Sequence, residues 1–197
     1  MINSIFFDLD ECLIHTLLRE PNQKHIRFAL EEGGIYFTVV RPCAKKLIAC
    51  ARDQLGVDKV FILTSATKQY ACEINRLAEF GFDEDRILAR EDLSNHRFAT
   101  AYGGSAVVAS KYAHIDNVLI DNLDARYNED KISFLGIWKS IDTNYLQIRD
   151  YYGVNFADDP FEEDVLAFLD ERRKAPSLCK DKSEKEVEIS PWTDAQF

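Results

Sequence analysis

Near its N-terminus the chain reads Ser4-Ile5-Phe6-Phe7-Asp8-Leu9-Asp10-Glu11-Cys12-Leu13-Ile14-His15-Thr16. The apolar run before Asp8 is typical of a short strand that is buried on both faces. Because like charges so close together raise the pKa of at least one carboxyl group, Asp8 and Asp10 need a cation or hydrogen-bond donors nearby. A hard divalent cation such as Mg²⁺ is the usual partner of such oxygen ligands. The alternative is that both aspartates begin a turn and face solvent.

Length and composition predict one folded domain. The 197 residues suffice for one sizeable α/β domain but not for two, and 46% of them are hydrophobic. We expect residues 1–173 to form this domain. Residues 174–197, rich in Lys, Glu and Ser, are expected to be a charged and loosely ordered tail.

Charge and apolar patterning exclude several classes of protein. With 34 acidic and 24 basic residues the formal charge is −10, which argues against an extended nucleic-acid surface. No stretch approaches the apolar length of a membrane span, and no signal peptide precedes the first strand. The five cysteines lack metal-binding spacing, so we expect reduced thiols. These features predict a protein that is not secreted and is cytoplasmic, or nuclear in a eukaryote.

Buried strands alternate with amphipathic helices along the chain. Strands are predicted at Ile5–Phe7, Lys59–Thr64, Arg86–Arg90 and Asn117–Asn122, and a β-hairpin at Ile26–Val40. Helices are predicted from Pro42 to Leu55, from Lys68 to Phe80 and from Asp159 to about Arg173. The fold class is therefore α/β: a central parallel sheet with helices on both faces, a small β-hairpin insertion and no large cap domain.

Three of the predicted strands end in polar side chains: Asp8 with Asp10, Thr64 with Ser65, and Asp121 with Asn122. The carboxyl ends of parallel strands meet at one edge of a sheet, and sites in such folds lie there. We therefore expect these side chains to converge.

The converging residue types suit phosphoryl transfer. An aspartate can attack the phosphorus and form an acyl phosphate, while a second aspartate acts as general acid and then as base. Mg²⁺ would offset the repulsion between carboxylate and phosphate, and a lysine and a hydroxyl would stabilise the phosphate oxygens. The chain offers each of these groups.

The stretch Asp8-Leu-Asp10-Glu-Cys-Leu-Ile resembles the first motif of the haloacid dehalogenase (HAD) superfamily. Within that superfamily, its residues are similar to those of the RNA polymerase C-terminal-domain phosphatases (FCP/SCP, NLI-interacting-factor-like). Further matching stretches are Ile62-Leu-Thr64-Ser65, Leu88-Ala-Arg90-Glu91 and Leu119-Ile-Asp121-Asn122. The resemblance covers roughly residues 4–173 and implies an HAD-like Rossmannoid fold.

By this resemblance the site residues have the following roles. Asp8 is the nucleophile and Asp10 the general acid/base, with Thr64 and Lys111 as further catalytic residues. Thr64, Ser65, Arg90 and Lys111 bind the substrate phosphate. Asp8, Asp10, Asp121 and Asn122 hold the metal.

The sequence departs from the family pattern at three places. Cys12 stands where a threonine is usual, and Asp124 replaces the proline that follows the metal pair. Only ten positions separate Lys111 from Asp121, so a helix carrying that lysine must be short. Lys68 is the rival for the role of Lys111.

The predicted function is Mg²⁺-dependent hydrolysis of phosphomonoesters through an aspartyl phosphate, on phosphoserine or phosphothreonine of a protein. A lid-free cleft suits a macromolecular substrate, because small metabolites need enclosure. Two alternatives stay open. One is a phosphatase of a small phosphorylated metabolite or nucleotide, and the other is a phosphoprotein-binding module without turnover.

Overall fold

A computed structural model describes residues 1–31, 34–101, 110–153 and 159–178. Its strands, in chain order, are β1 (Ile5–Phe7), β2 (Ile14–Leu17), β3 (Ile26–Ala29), β4 (Ile35–Val40), β5 (Val60–Leu63), β6 (Ile87–Leu88), β7 (Val118–Asp121) and β8 (Tyr145–Gln147). Its α-helices are α1 (Ala44–Leu55), α2 (Lys68–Ala78), α3 (Arg90–Ala101), α4 (Glu129–Leu135), α5 (Ile141–Asn144) and α6 (Phe161–Lys174).

A parallel sheet with the strand order β6-β5-β1-β7-β8 forms the centre of the described structure. Side chains alternate across it, as the period of a strand requires. Ile5 and Phe7 of β1 belong to a hydrophobic core shared with α1, α2 and α6. Phe6 belongs to a second core on the opposite face, shared with α3 and α4. The sheet is thus covered by helices on both faces, which confirms the predicted fold class.

The predicted β-hairpin is confirmed as β3 and β4, but it belongs to a larger unit. β2 pairs with the other edge of β4, giving an antiparallel sheet with the order β2-β4-β3. β2 comes directly after the motif at Asp8, where the sequence predicted no separate strand. The residues of β2 do not alternate between apolar and polar side chains, so the sequence gives no strand signal there. They form a strand because they pair with β4.

Two regions differ from the sequence-based expectation. Arg90 was predicted to end a strand, but it begins α3, where the Asp92 carboxylate accepts a hydrogen bond from the Ala89 N–H at 2.9 Å. The segment Glu129–Leu135, for which the sequence predicts no element, forms α4. Nearly all of the predicted tail lies outside the described residues.

The described part of the chain contains no cap domain over the sheet. Between Asp10 and Thr64 lie the small antiparallel sheet and α1, and between Thr64 and Lys111 lie α2, β6 and α3. Within the described ranges, no helix has both the length and the apolar character needed to cross a membrane.

Candidate active site

The register of the parallel sheet brings the predicted carboxylates together. β1 lies between β5 and β7, and Phe7 is aligned with both Ile62 and Ile120. Asp8 is therefore next to Asp121, and the Asp8 N–H donates to the Ile120 carbonyl at 2.9 Å. The structure thus brings the first and the last predicted strand ends to one edge of the sheet.

A lysine that the sequence reasoning did not select joins these two carboxylates. The ammonium of Lys131, on α4, donates to Asp8 Oδ1 at 2.6 Å and to Asp121 Oδ2 at 2.7 Å. The side chain of Lys131 is only 3% exposed. A buried ammonium between two buried carboxylates forms a charge-assisted network in a region of low dielectric.

The charges in this network shift one another's pKa. Burial raises the pKa of Asp8 to about 7, although the ammonium of Lys131 opposes the shift, and the charges of Asp121 and Asp10 add to it. Burial alone would lower the pKa of Lys131, but Asp8 and Asp121 outweigh it and raise that pKa above its ordinary value. Lys131 is therefore a permanent positive charge at the sheet edge.

Asp10 lies two residues after Asp8 and has different hydrogen-bond partners. The Tyr70 hydroxyl donates to Asp10 Oδ1 at 2.6 Å. Burial raises the pKa of Asp10, and the hydrogen bond from Tyr70 opposes the shift. Between Asp10 and Cys12 the chain turns through Glu11, whose φ of 59° is unusual for a residue other than glycine. The two carboxylates have distinct surroundings because Asp8 contacts Lys131 and Asp10 contacts Tyr70.

A second group of polar residues lies at the end of β5, beside β1. It consists of Thr64 and Ser65, which follow β5, and of Arg90, which begins α3 and contacts Ser65. Thr64 is buried, and its Oγ1 accepts from the Ala66 N–H at 3.1 Å, so its hydroxyl proton can donate elsewhere. Ser65 and Arg90 are exposed, and Arg90 Nε donates to the Ser65 carbonyl at 2.9 Å. Arg90 therefore holds the loop that follows Thr64.

The remaining predicted metal ligand, Asn122, is buried after β7. Its amide nitrogen donates to Asp150 Oδ1 at 3.1 Å, which leaves the amide oxygen as an acceptor. Carboxylate and amide oxygens are the donors that Mg²⁺ prefers, so the donor set of Asp8, Asp10, Asp121 and Asn122 fits this ion. Within the described ranges, no three His, Cys, Asp or Glu side chains are already arranged around a metal position.

Neither lysine proposed from the sequence contacts the carboxylates in the described structure. Lys111 is exposed, with its ammonium 4.8 Å from the ring centroid of Tyr112. The ammonium of Lys68 donates to the carbonyls of Glu84, at 2.6 Å, and of Ile87. That interaction fastens α2 to the segment before β6.

A sequence signal for Lys131 does exist. Lys131 and Leu135 are one helical turn apart, and both lie on the buried side of α4 with Ile132. A lysine at a core-facing helical position requires buried partners of opposite charge. The signal becomes visible only once this segment is identified as a helix.

The family model described as NLI interacting factor-like phosphatase matches residues 3–179. The chain belongs to that family. A search of curated proteins found no match.

The chain is also similar to solved structures. One is a variant of the fission yeast RNA polymerase II CTD phosphatase Fcp1 bound to beryllium fluoride, at 16% identity and a TM-score of 0.45. Another is a structure of Fcp1, an essential RNA polymerase II CTD phosphatase, at 17% identity and a TM-score of 0.47. Each alignment covers 87% of this chain and 51% of the other, so the chain spans about half the length of these proteins.

Proposed function

We propose that this chain is a phosphatase that hydrolyses phosphomonoesters through an aspartyl phosphate on Asp8, with Mg²⁺ as cofactor. The observation that carries the proposal is the Lys131 ammonium held between Asp8 and Asp121, at 2.6 and 2.7 Å. A carboxylate that ends a buried strand beside a fixed positive charge can approach a phosphate dianion, because the cation offsets their repulsion.

Asp8 is proposed as the nucleophile. Its Oδ1 is held by Lys131, whereas the described residues provide no hydrogen-bond partner for Oδ2. Oδ2 is therefore free to attack the phosphorus and form the acyl phosphate. Lys131, rather than Lys111, is proposed to balance the charge that the phosphate brings.

Asp10 is proposed as the general acid and then the general base. It protonates the leaving oxygen as the ester bond breaks, and later takes a proton from the water that attacks the acyl phosphate. Thr64, Ser65 and Arg90 are proposed to bind the phosphate oxygens, since Thr64 and Ser65 follow β5 next to β1 and Arg90 contacts the Ser65 carbonyl. The hydroxyl proton of Thr64 is available for this.

Asp8, Asp121 and Asn122 are proposed to hold the Mg²⁺ ion through their side chains, and Asp10 through its main-chain carbonyl, because the hydrogen bond from Tyr70 and the acidic proton occupy the two side-chain oxygens of Asp10. When bound, this ion would neutralise phosphate charge and help to align the phosphate with the attacking carboxylate. Asp150 supports the arrangement, because it fixes the orientation of the Asn122 amide. Lys131 keeps Asp8 and Asp121 close together.

The nucleophile is tested by trapping the acyl phosphate. With phenyl phosphate as substrate, acid quenching should trap a phosphoenzyme in the wild type and none in Asp8→Asn. Asp10→Asn should still form the phosphoenzyme with an activated aryl phosphate but should hydrolyse it slowly. Full turnover by Asp8→Asn would refute the assignment, and binding without turnover in the wild type would favour the phosphoprotein-binding alternative.

The cofactor is tested by removing and restoring it. EDTA should abolish hydrolysis and Mg²⁺ should restore it, because the carboxylate cluster then regains its cation. Calorimetric titration with Mg²⁺ should show a binding signal that is lost in Asp121→Asn. Unchanged activity in EDTA would contradict the proposed cofactor.

The proposed substrate is a phosphoserine or phosphothreonine in a protein. The described chain has no cap domain that could enclose a small molecule, and such substrates normally gain their binding energy from enclosure. A phosphorylated side chain can instead gain it from contacts of the flanking peptide with the protein surface. A small phosphate ester remains the second candidate substrate.

A further inference from the structure

A line of hydroxyl groups leads from the small antiparallel sheet to Asp10. Thr38 Oγ1 and Thr16 Oγ1 are 2.7 Å apart, and Thr16 Oγ1 is 2.7 Å from the Tyr70 hydroxyl. The Tyr70 hydroxyl reaches Asp10 Oδ1 at 2.6 Å. Thr38 is fully buried and Tyr70 is 9% exposed, so water has little access to compete for these hydrogen bonds.

The direction of the hydrogen bonds in this line follows from the donor count. Asp10 Oδ1 accepts both in the carboxylate and in the acid that carries its proton on Oδ2, so the single proton of the Tyr70 hydroxyl points at Asp10. The Tyr70 oxygen then accepts from Thr16, and Thr16 in turn accepts from Thr38. Each hydroxyl uses its one proton toward Asp10, and the line has one orientation.

Three elements hold the line in place. Thr16 of β2 and Thr38 of β4 are directly paired in the antiparallel sheet. Tyr70 lies in the first turn of α2, where its N–H donates to Thr67 Oγ1 at 3.4 Å, and its ring lies 6.0 Å from that of Phe28. The Tyr70 hydroxyl is therefore fixed by backbone elements and not by a mobile loop.

We propose that Tyr70, held by Thr16 and Thr38, is a positioning residue for Asp10. The inference rests on the proposed function, in which Asp10 is the general acid. By donating to Oδ1, Tyr70 leaves Oδ2 as the oxygen that carries the acidic proton and directs it at the leaving group. As Asp8 Oδ2 bonds to phosphorus and the ester P–O bond breaks, the proton moves from Asp10 Oδ2 to the departing oxygen, and Asp10 becomes a carboxylate.

The test uses the dependence of kcat/KM on the leaving group. Phenyl phosphate needs protonation of its leaving oxygen, whereas dinitrophenyl phosphate leaves as a stable anion. For Tyr70→Phe, we expect kcat/KM to fall about 10- to 100-fold with phenyl phosphate, because misplaced acid catalysis loses part of its usual contribution. With dinitrophenyl phosphate the same variant should retain nearly all of the wild-type kcat/KM.

Thr16→Val provides a second variant, since it removes the donor to Tyr70 while keeping the side-chain shape. It should show the same selectivity for the leaving group with a smaller loss. The matched control is Tyr36→Phe: Tyr36 also packs on Phe28, with ring centroids 5.4 Å apart, and its hydroxyl has no hydrogen-bond partner among the described residues. This control should hydrolyse both substrates at wild-type rates.

Two results would overturn the inference while leaving the proposed function intact. One is an equal loss with both substrates in Tyr70→Phe, which would indicate a general structural role. The other is wild-type activity of Tyr70→Phe with phenyl phosphate. A wild-type protein that is inactive on every phosphate ester would overturn the proposed function and this inference together, so the two failures are distinguishable.

Discussion

Lys131 concentrates the electrostatics of the site in one side chain. It provides the buried ammonium that the described structure places between Asp8 and Asp121, and both contacts are at hydrogen-bond distance. Removing one member of a buried ion network leaves the other charges buried and uncompensated. The same residue thus affects stability and the proposed chemistry.

Comparison of Lys131→Met with Lys111→Met tests which lysine serves the site. Lys131→Met should reduce kcat at least about 100-fold, since a fixed charge at the reacting phosphate is lost. It should also lower the free energy of unfolding by about 3 kcal/mol, because Asp8 and Asp121 then repel each other while buried.

Lys111→Met serves as the matched variant, and it should leave turnover and stability unchanged because Lys111 is exposed. Steady-state kinetics and chemical denaturation measure the two effects. A loss of kcat in Lys111→Met with normal turnover in Lys131→Met would reverse the assignment.

At the scale of the elements, Arg41 joins three segments around the site. At the end of β4 its guanidinium forms a bidentate pair with Asp159, just before α6, with both N···O distances 2.7 Å. It also donates to the Cys12 carbonyl at 3.0 Å and lies 3.9 Å from the ring centroid of Phe161. Because Cys12 follows the turn at Glu11, this cluster connects the loop after β1 to α6.

The pair of Arg41 and Asp159 should make stability depend on pH. Burial favours protonation of Asp159, but the hydrogen bonds and charge of Arg41 outweigh it and lower its pKa below the ordinary 3.8. A group whose folded-state pKa is lowered contributes its full stability above the unfolded pKa and loses it as the pH falls through the folded pKa. Asp159→Asn should therefore cost about 3 kcal/mol near neutral pH, and this difference should vanish in acid.

Asp170→Asn, in α6, is the control for this experiment. Asp170 pairs with Arg173 and Lys174 at the surface, and exposed pairs contribute little. Denaturation curves at neutral and at acid pH should show no difference between Asp170→Asn and the wild type. A pH-independent cost for Asp159→Asn would mean that packing and not charge holds this junction.

At the scale of the whole molecule, accessibility of the sheet edge is the property that concerns substrate choice. The described elements between Asp10 and Lys111 are one small sheet, the strands β5 and β6, three α-helices and two short 3₁₀ helices. They flank the carboxyl edge without a separate lid domain. The protein surface beside Asp8 and Asp121 is then accessible to a macromolecular substrate.

We predict that phosphoserine peptides are hydrolysed with a higher kcat/KM than sugar phosphates or nucleotides. The physical reason is that flanking peptide residues add binding energy that a small molecule on an open surface lacks. A parallel screen of phosphopeptides and metabolites measures this, with phenyl phosphate as the common reference. A strong preference for a free metabolite would favour the second candidate substrate.

The sequence by itself determined the layered sheet and most of the residues at its edge. Buried strands alternating with amphipathic helices allow few other folds, and polar residues at strand ends must meet where parallel strands end. Asp8, Asp121 and Thr64 could be identified for this reason. The residue types also predict that α1 ends before Gly56 and that β4 ends before Arg41 and Pro42.

Only the tertiary structure decided which distant side chains reach these carboxylates. Lys131 lies ten positions after Asp121, and Tyr70, whose hydroxyl donates to Asp10, lies sixty positions after Asp10; neither spacing is a motif. Their contacts depend on how α4 and α2 pack against the sheet. Likewise, Thr16 and Thr38 meet only because β2 pairs with β4. Local propensity acts over a few residues, whereas these hydrogen bonds depend on packing between elements far apart in the chain.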